Sequence, residues 1–464
     1  MDAQLLVRAG GAAERLVKRV MPDPFSLVLL LTVVALGLAL ATMAPVPGAA
    51  GATLPGKASA LVKEWVEGFG NPEILKFGLQ IILIVVTGEA IAASRPARRL
   101  LARLTSLPRT APQAVVMVTA FAIGSGWVHW GFGLVSSALL AREVGRSLKA
   151  RGVKVHYALL GTGAYTSMLL WHAGITASAP LLMNTEKNFV SDVLGLKGPQ
   201  AKVPLSETIF APYNLIVCAV LLVLVPPVVA MMHPRPEDTV EPEDLPEIGH
   251  DAPSEPPTTA VERLDRTRLL TFVVGAIGLS FLWRYVRDNG FDLNHNVVNA
   301  TFLMLGMVLH DSPVAYARAI GQSVKGTAGI VLQFPFYGGI LRVMSFSGLS
   351  EHISHVFVAA STARTLPFFT FLASIVTKSF VPSGAGEWAV EGPPMLKAAK
   401  ELGVPFGKIT MAVAYGNMLG NMYQPFWSLP LLGLMGLRAR DIMGFCLILF
   451  VICLPILGLA LYFG

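Results

Sequence analysis

The sequence predicts an all-α polytopic membrane protein, built as two inverted repeats with about nine transmembrane helices and two re-entrant helical hairpins. Three observations predict it. The 464 residues are 53% hydrophobic and 14% charged, where a soluble chain carries about 25% charge. The basic residues gather in short stretches between apolar segments, as cytoplasmic loops do. A nineteen-residue pattern returns 250 positions later in the chain.

Taken in order, residues 3–19 are amphipathic and hold Arg8, Arg15, Lys18 and Arg19, so segment 1–24 is expected on the cytoplasmic surface. The apolar stretch 25–45 outlasts the core of a signal peptide, about 7–15 residues, and reads as a first span leading out; 73–94 leads back. Arg95, Arg98, Arg99, Arg103 and Arg109 then mark a cytoplasmic loop, as do Arg142, Arg146, Lys149, Arg151 and Lys154. Segment 111–141 therefore starts and ends on one side. About 30 apolar residues are too few for two spans, so the segment is expected to be a re-entrant hairpin with its tip near Gly124-Ser125-Gly126. Segments 155–183 and 206–232 cross out and back, completing a first repeat over 25–232.

Residues 233–268 are rich in Pro and acid and predict an extended cytoplasmic linker. Segment 269–287 is an odd extra helix. The second repeat, 288–464, follows with spans at 296–311, 328–346, 409–437 and 441–463. Within it, 366–397 is a second hairpin broken at Pro382-Ser383-Gly384-Ala385-Gly386. Lys397, Lys400 and Lys408 fall on the outside in this topology, against the charge rule.

The repeat itself aligns 164–182 with 414–432, with eight of nineteen residues identical; apolar bias alone would give roughly two. Ser125-Gly126-Trp127-Val128-His129-Trp130 and Ser383-Gly384-Ala385-Gly386-Glu387-Trp388 share the pattern S-G-x-x-[H/E]-W, and Leu79-Gln80 pairs with Leu332-Gln333. One extra span between the halves reverses the second, an arrangement common in secondary transporters.

In such an architecture the hairpin tips and helix breaks converge at mid-membrane, where non-helical backbone must be covered by protein or line a cavity. Free helix N-termini suit a carboxylate. Ser125, Gly126, Ser383 and Gly384 are the candidate cradle, with Trp130, Trp171 and Trp388 lining an apolar pocket. The breaks add Asn417, Asn421 and Gln424 as uncharged hydrogen-bonding partners. Ionisable residues at membrane depth are costly and point to function: His129, His172, Glu387 and Glu391 are the candidates for a coupling H⁺ or Na⁺. Glu89 is expected to pair with Arg95 instead. Helix-packing contacts are the competing explanation for the glycines and amides, and satisfied core histidines for His129 and His172.

The net charge of +7 follows from the loops and implies no nucleic-acid partner; Cys218, Cys446 and Cys453 lie in apolar segments without metal or disulfide spacing. No H-E-x-x-H or H-x-x-x-H motif is present, and neither an enzyme cofactor nor a metal beyond a coupling sodium is expected.

Several stretches resemble the short-chain fatty acid transporter family, the acetoacetate and butyrate carriers. They are MPDPFSLVLLLT (21–32), WVEGFGN (65–71), HWGFGLV (129–135), AREV (141–144), TAGIVLQFPFYGGI (327–340), VPSGAGEWAVEGP (381–393), AYGNMLGNMYQPFWSLP (414–430) and RDIMGF (440–445). The resemblance covers nearly the whole chain. It implies a multi-pass carrier of small monocarboxylates in the bacterial inner membrane, with an ion-transporter type of fold, elevator-like movement and frequent homodimers. A dicarboxylate or other organic-anion carrier is the alternative; a second substrate charge would want a buried cation, and Lys378 is the obvious one. A channel and an intramembrane serine hydrolase using Ser125 or Ser383 with a histidine are more remote.

Overall fold

The computed structural model describes residues 24–43, 53–185, 188–234, 237, 239–241, 259–290, 292–379, 381 and 383–464. The amphipathic segment 3–19 and the linker core 242–258 lie outside the described residues.

Helices α1 (Pro24–Thr42), α2 (Leu54–Gly68), α3 (Pro72–Ala93) and α4 (Arg95–Thr105) open the chain. A hairpin of α5 (Ala111–Val128) and α6 (Trp130–Ala150) follows. Next comes a broken helix, α7 (Tyr157–Tyr165) and α8 (Ser178–Met183), joined by two 3₁₀ turns; α9 (Phe189–Leu194) and α10 (Pro212–Met231) close this half. Short α11 (Ala260–Asp265) leads into α12 (Arg268–Asn289). The second half runs α13 (His295–Leu309), α14 (Pro313–Val324), α15 (Ala328–Phe346) and α16 (Leu349–Ala360). A hairpin of α17 (Leu366–Thr377) and α18 (Gly384–Leu402), a broken helix of α19 (Phe406–Gly420) and α20 (Ser428–Met435), and α21 (Ala439–Phe463) complete it.

The order of elements in the second half follows that of the first, except that α9 has no counterpart there. α1 to α4 run as α13 to α16 do, and each half then has a hairpin, a broken helix and a closing helix. The helices after the two breaks start at Ser178 and Ser428, at the 250-residue offset of the sequence pattern. α12 stands apart. It has only Thr271, Gly275 and Leu282 buried, while Phe272, Ile277, Phe281 and Trp283 face outward. An apolar surface of that kind belongs in lipid. Six described helices are long and apolar enough to span a bilayer: α3, α5, α10, α12, α15 and α21.

Local chemistry explains the boundaries. Asn71 accepts hydrogen bonds from the N–H groups of Glu73 and Ile74, and Pro72 suits the first turn of α3. Thr110 and Ser312 cap α5 and α14 in the same way. Gly403 and Gly436, with φ of 69° and 68°, end α18 and α20 in the left-handed conformation open to glycine.

Four expectations change. α5 runs unbroken through Gly124-Ser125-Gly126, and the hairpin turns at His129, whose extended backbone (φ −156°, ψ 106°) separates the two arms. The arms are also longer than the apolar count of 111–141 allowed. α6 continues through Arg142, which is buried and donates to the Leu434 carbonyl at 2.8 Å, so a charge there does not end the helix. At 18 and 21 residues, the arms measure about 27 and 31 Å. Arg95 pairs with Asp311 at 2.9 Å, while Glu89 faces Ser323. Helix α4 falls in a stretch read as a loop, and α2, α14 and α16 fall in stretches left unassigned between spans, because amphipathic helices of this length do not register as spans. Two of them are held by ion pairs: Arg342 of α15 meets Glu64 and Glu67 of α2 at 2.6 and 2.7 Å, and Lys397 of α18 meets Glu351 of α16.

The three cysteines are buried as free thiols.

Candidate functional site

The two helix breaks lie against each other. The Asn421 amide donates to the Met168 carbonyl at 3.2 Å, and the Tyr165 hydroxyl donates to the Gln424 carbonyl at 3.3 Å. Each half thus uses a side chain to satisfy backbone that the other half's break leaves open. The first hairpin closes on the same place. The Ile175 N–H donates to the Trp127 carbonyl at 2.8 Å, and the Trp130 N–H to the Thr176 hydroxyl at 3.2 Å. A Cβ at Gly126 would run into the Ser167 carbonyl.

Aromatic rings fill the junction. Trp171 packs edge-on against Trp130 (centroids 5.6 Å apart) and stacks on His172 (4.2 Å), and Trp427 joins from the second break, 5.2 Å from Trp130. The second hairpin reaches the cluster at Gly384, where a Cβ would come within 2.6 Å of the Trp171 ring and 2.9 Å of Asn417 Oδ1.

Beside this junction lies a buried charged network. The Lys378 ammonium donates to Asn417 Oδ1 at 3.5 Å, and Asn417 Nδ2 donates to Glu387 Oε2 at 2.6 Å. Ser374 Oγ meets Glu387 Oε1 and lies 2.9 Å from the Val413 carbonyl. Lys378, Glu387, Ser374 and Asn417 are all 0% exposed. Buried charges persist where they are paired and hydrogen-bonded, and the Asn417 amide links the two here. Small residues make this possible. Gly416 and Gly420, spaced as G-x-x-x-G on α19, let Ser374 and the Lys378 stem sit against the helix backbone. Glu391, one turn beyond Glu387, is buried, and by strict geometry neither carboxylate oxygen has a hydrogen-bond partner among the described residues; Thr377 is the hydroxyl it interacts with.

The sequence-nominated residues divide accordingly. Trp130, Trp171, Ser383, Gly384, Asn417, Asn421, Gln424, His172 and Glu387 surround the junction. Trp388 is fully buried against Gly392 on α18. Ser125 is a turn short of the tip and donates to the Phe121 carbonyl of its own helix at 2.6 Å. Ser383 caps α18, its oxygen accepting from the Gly386 N–H at 3.3 Å. Both histidines serve backbone: His129 Nδ1 accepts from the Phe132 N–H, and His172 Nε2 from the Ala179 N–H. Each is thereby a neutral tautomer that carries its proton on the other ring nitrogen.

Several atoms at the junction remain without partners among the described residues: the indole N–H groups of Trp130 and Trp171, the Ser167 hydroxyl, Asn421 Oδ1 and Gln424 Oε1. Ser374, Lys378, Ser167, Tyr337 and Trp427 were not nominated as site residues. The signal for Lys378 was present, a single lysine inside the apolar run 366–381; Ser374 had none. No group of three or more His, Cys, Asp or Glu residues suited to a metal occurs among the described residues. An open apolar groove of about 480 Å³, lined by Phe69, Val331, Leu332 and Phe336 among others, lies elsewhere and touches none of these groups.

Comparison with known proteins gives concordant results. A family described as "Short chain fatty acid transporter" matches residues 5–464. A protein of Escherichia coli strain K12 named for short-chain fatty acid transport is 39% identical over 455 residues, covering 97% of this chain and 98% of the relative. A Haemophilus influenzae protein with the same name is 40% identical over 407 residues, covering 87% and 90%. Among solved structures, the YdaH transporter of Alcanivorax borkumensis, described as having an unusual topology, superposes with a TM-score of 0.57 at 16% identity, over 96% of this chain and 99% of that one. MtrF of Neisseria gonorrhoeae, placed in a class of antimetabolite efflux pumps, gives 0.54 at 17% identity over 96% and 95%. These two likenesses establish a shared fold.

Proposed function

The chain belongs to the short-chain fatty acid transporter family, a multi-pass membrane transporter and not an enzyme, and from that premise we propose that it is a secondary active carrier of small monocarboxylates such as butyrate or acetoacetate. In this reading its halves are inverted repeats in the bacterial inner membrane, with the N-terminus and the 233–268 linker cytoplasmic. A cation drives uptake, and an elevator-like movement exposes the site to each side in turn. The matching order of elements around α12 supports the repeat.

The observation that carries the substrate class is the set of unpartnered buried donors where the breaks meet. An indole N–H can only donate, and leaving one buried without an acceptor costs about 1–3 kcal/mol. Two such groups, with the Ser167 hydroxyl, offer donors to a carboxylate, and the unpartnered acceptors Asn421 Oδ1 and Gln424 Oε1 beside them suit a coupling cation. The indole faces beside them suit a short acyl chain. Ser125 and Gly126 drop out of the cradle, since one bonds its own helix and the other packs on backbone. Ser383, Gly384, Trp130, Trp171, Asn417, Asn421 and Gln424 remain, with Trp388 behind them.

The test is uptake of labelled butyrate and acetoacetate into liposomes holding the purified protein, under separate proton and sodium gradients. Saturable uptake raised by one gradient is the expected result and names the ion. Transport of dicarboxylates with none of butyrate would keep the carrier and overturn the substrate.

A further inference from the structure

The start of α7 is held by the chain that follows α10. The Tyr157 N–H, first of the helix, donates to the Val240 carbonyl at 2.8 Å, and the Val240 N–H donates back to His156 Nδ1 at 3.2 Å. Beside them the His156 N–H donates to His233 Nε2 at 3.1 Å. These bonds fix both rings as neutral tautomers. His156 Nδ1 and His233 Nε2 each accept, so each ring carries its one proton on the other nitrogen, and His233 Nδ1 donates to the Pro234 carbonyl at 2.8 Å. A second proton on either ring would set one N–H against another. The Val240 side chain is 64% exposed and adds little apolar burial to the docking.

We infer that segment 239–241 is a strap that docks on the start of α7 while His156 and His233 are neutral and leaves it when the cytoplasm turns acid, so that internal acid slows transport. The cytoplasmic placement comes from the proposed topology; the docking itself does not depend on the substrate. His156 is 7% exposed. Burial, and then the neighbouring His233, hold it below the usual histidine range, against the pull of Asp441. A histidine so held is neutral in the docked state. Docking is therefore complete above the ordinary histidine value of about 6.5 and weakens by up to about tenfold for each pH unit below it. The clasp lies on the path to the site. α7 runs nine residues to the break at Thr166, and the Tyr157 hydroxyl donates to the Met435 carbonyl at the end of α20 at 3.0 Å. The docked strap thus steadies the first turn of one broken helix and, through Tyr157, the last turn of the other.

The groups around the clasp fit this switch. From α21, Asp441 faces His156 and is itself paired with Arg438 and Arg440, and Phe445 packs edge-on against the His156 ring with centroids 5.8 Å apart. From α6, Arg142, Glu143 and Arg146 face Tyr157. Lys154 precedes His156 by two residues and Glu241 follows Val240. Of these side-chain types, only histidine changes charge between about pH 5 and 8 at its ordinary value.

The test is hydrogen exchange of the full chain in liposomes at about pH 7.5 and about pH 5.5, read at the Tyr157 and Val240 amides after correction for intrinsic rates. Exchange of labelled acetoacetate, at equal pH and equal concentration on both sides, is scored beside it. In wild type both amides should be protected at the higher pH and lose about tenfold in protection at the lower, with transport slowing in step. His156→Asn with His233→Gln puts an amide oxygen near each accepting nitrogen and removes the titration, so protection and transport rate should be the same at both pH values. Val240→Pro removes the donor to His156. It should expose the Tyr157 amide at both pH values and slow transport at about pH 7.5 to the wild-type rate at about pH 5.5, with a melting temperature near wild type because Val240 is exposed and outside the helices. Equal protection of the wild type at both pH values, or a double variant that still loses protection in acid, would overturn the switch. A Val240→Pro protein that exposes Tyr157 and transports at the full rate would overturn its control of transport. Absence of acetoacetate and butyrate exchange by the wild type would instead overturn the monocarboxylate reading, and the amide readout would still decide the strap.

Discussion

The two hairpins carry the same short pattern of residues and build different things from it. In the first, one residue, His129, separates α5 from α6; in the second, residues 378–383 separate α17 from α18. Ser125 precedes its turn, inside a helix, while Ser383 follows its turn and caps the next one. The structural counterpart of Ser383 is His129, which caps α6 through Nδ1. Four residues beyond each cap stand Gly133 and Glu387. Gly133 lies against the backbone of Gly126, where a Cβ would come within 2.6 Å, whereas Glu387 sits among Ser374, Asn417 and Lys378. A tight turn presses the arms together and makes the first hairpin a packing unit. A longer turn parts the arms and leaves room for charge. The distance between the arms, more than the motif, decides where chemistry can occur.

Substitutions can break or sharpen this contrast, and the largest effect is expected at Lys378. Replacing it alone with Met leaves Glu387 buried without its cation and should cost about 3–5 kcal/mol. Adding Glu387→Leu should recover most of the loss in a melting measurement. Equal stability of the single and double variants would show that the network does not hold the second hairpin. Next is Gly126→Ala in the first hairpin, where a methyl group meets the Ser167 backbone. Overpacking of this kind costs about 1–3 kcal/mol, and the loss should appear in folded yield and melting temperature before any change in butyrate affinity. Ser383→Ala removes a cap and should cost about 1 kcal/mol. Smallest is Ser125→Ala. Its hydroxyl bonds only its own helix, so stability should change by no more than about 0.5 kcal/mol and butyrate KM by less than about twofold. A KM loss at Ser125 equal to that at Ser383 would restore the symmetric cradle that the sequence pattern suggests.

Much of the architecture was legible in the residues. Apolar runs located the long helices, and the 250-residue offset located the two breaks down to their restart at Ser178 and Ser428. Hydropathy could not show the amphipathic helices α2 and α4, whose apolar residues cover one face only. Nor could it show that Arg142 continues a helix, because the Leu434 carbonyl that satisfies it lies 292 residues away. At the site, glycines, tryptophans and amides were visible as types. Which of them meet depends on contacts across the halves, such as Asn421 with Met168. Ser374 was illegible for the same reason: a serine in an apolar helix becomes part of a buried polar network only through what the fold sets opposite it.

The burial of the three cysteines has an experimental consequence. A thiol reagent added to the folded protein finds Cys218, Cys446 and Cys453 shielded, so the natural chain already serves as a quiet background for site-directed labelling. A reporter thiol introduced on either side of the Trp130–Trp171 junction can be read against it, and the difference in labelling rate from the two membrane faces would time the opening of the site without first stripping the native sulfurs.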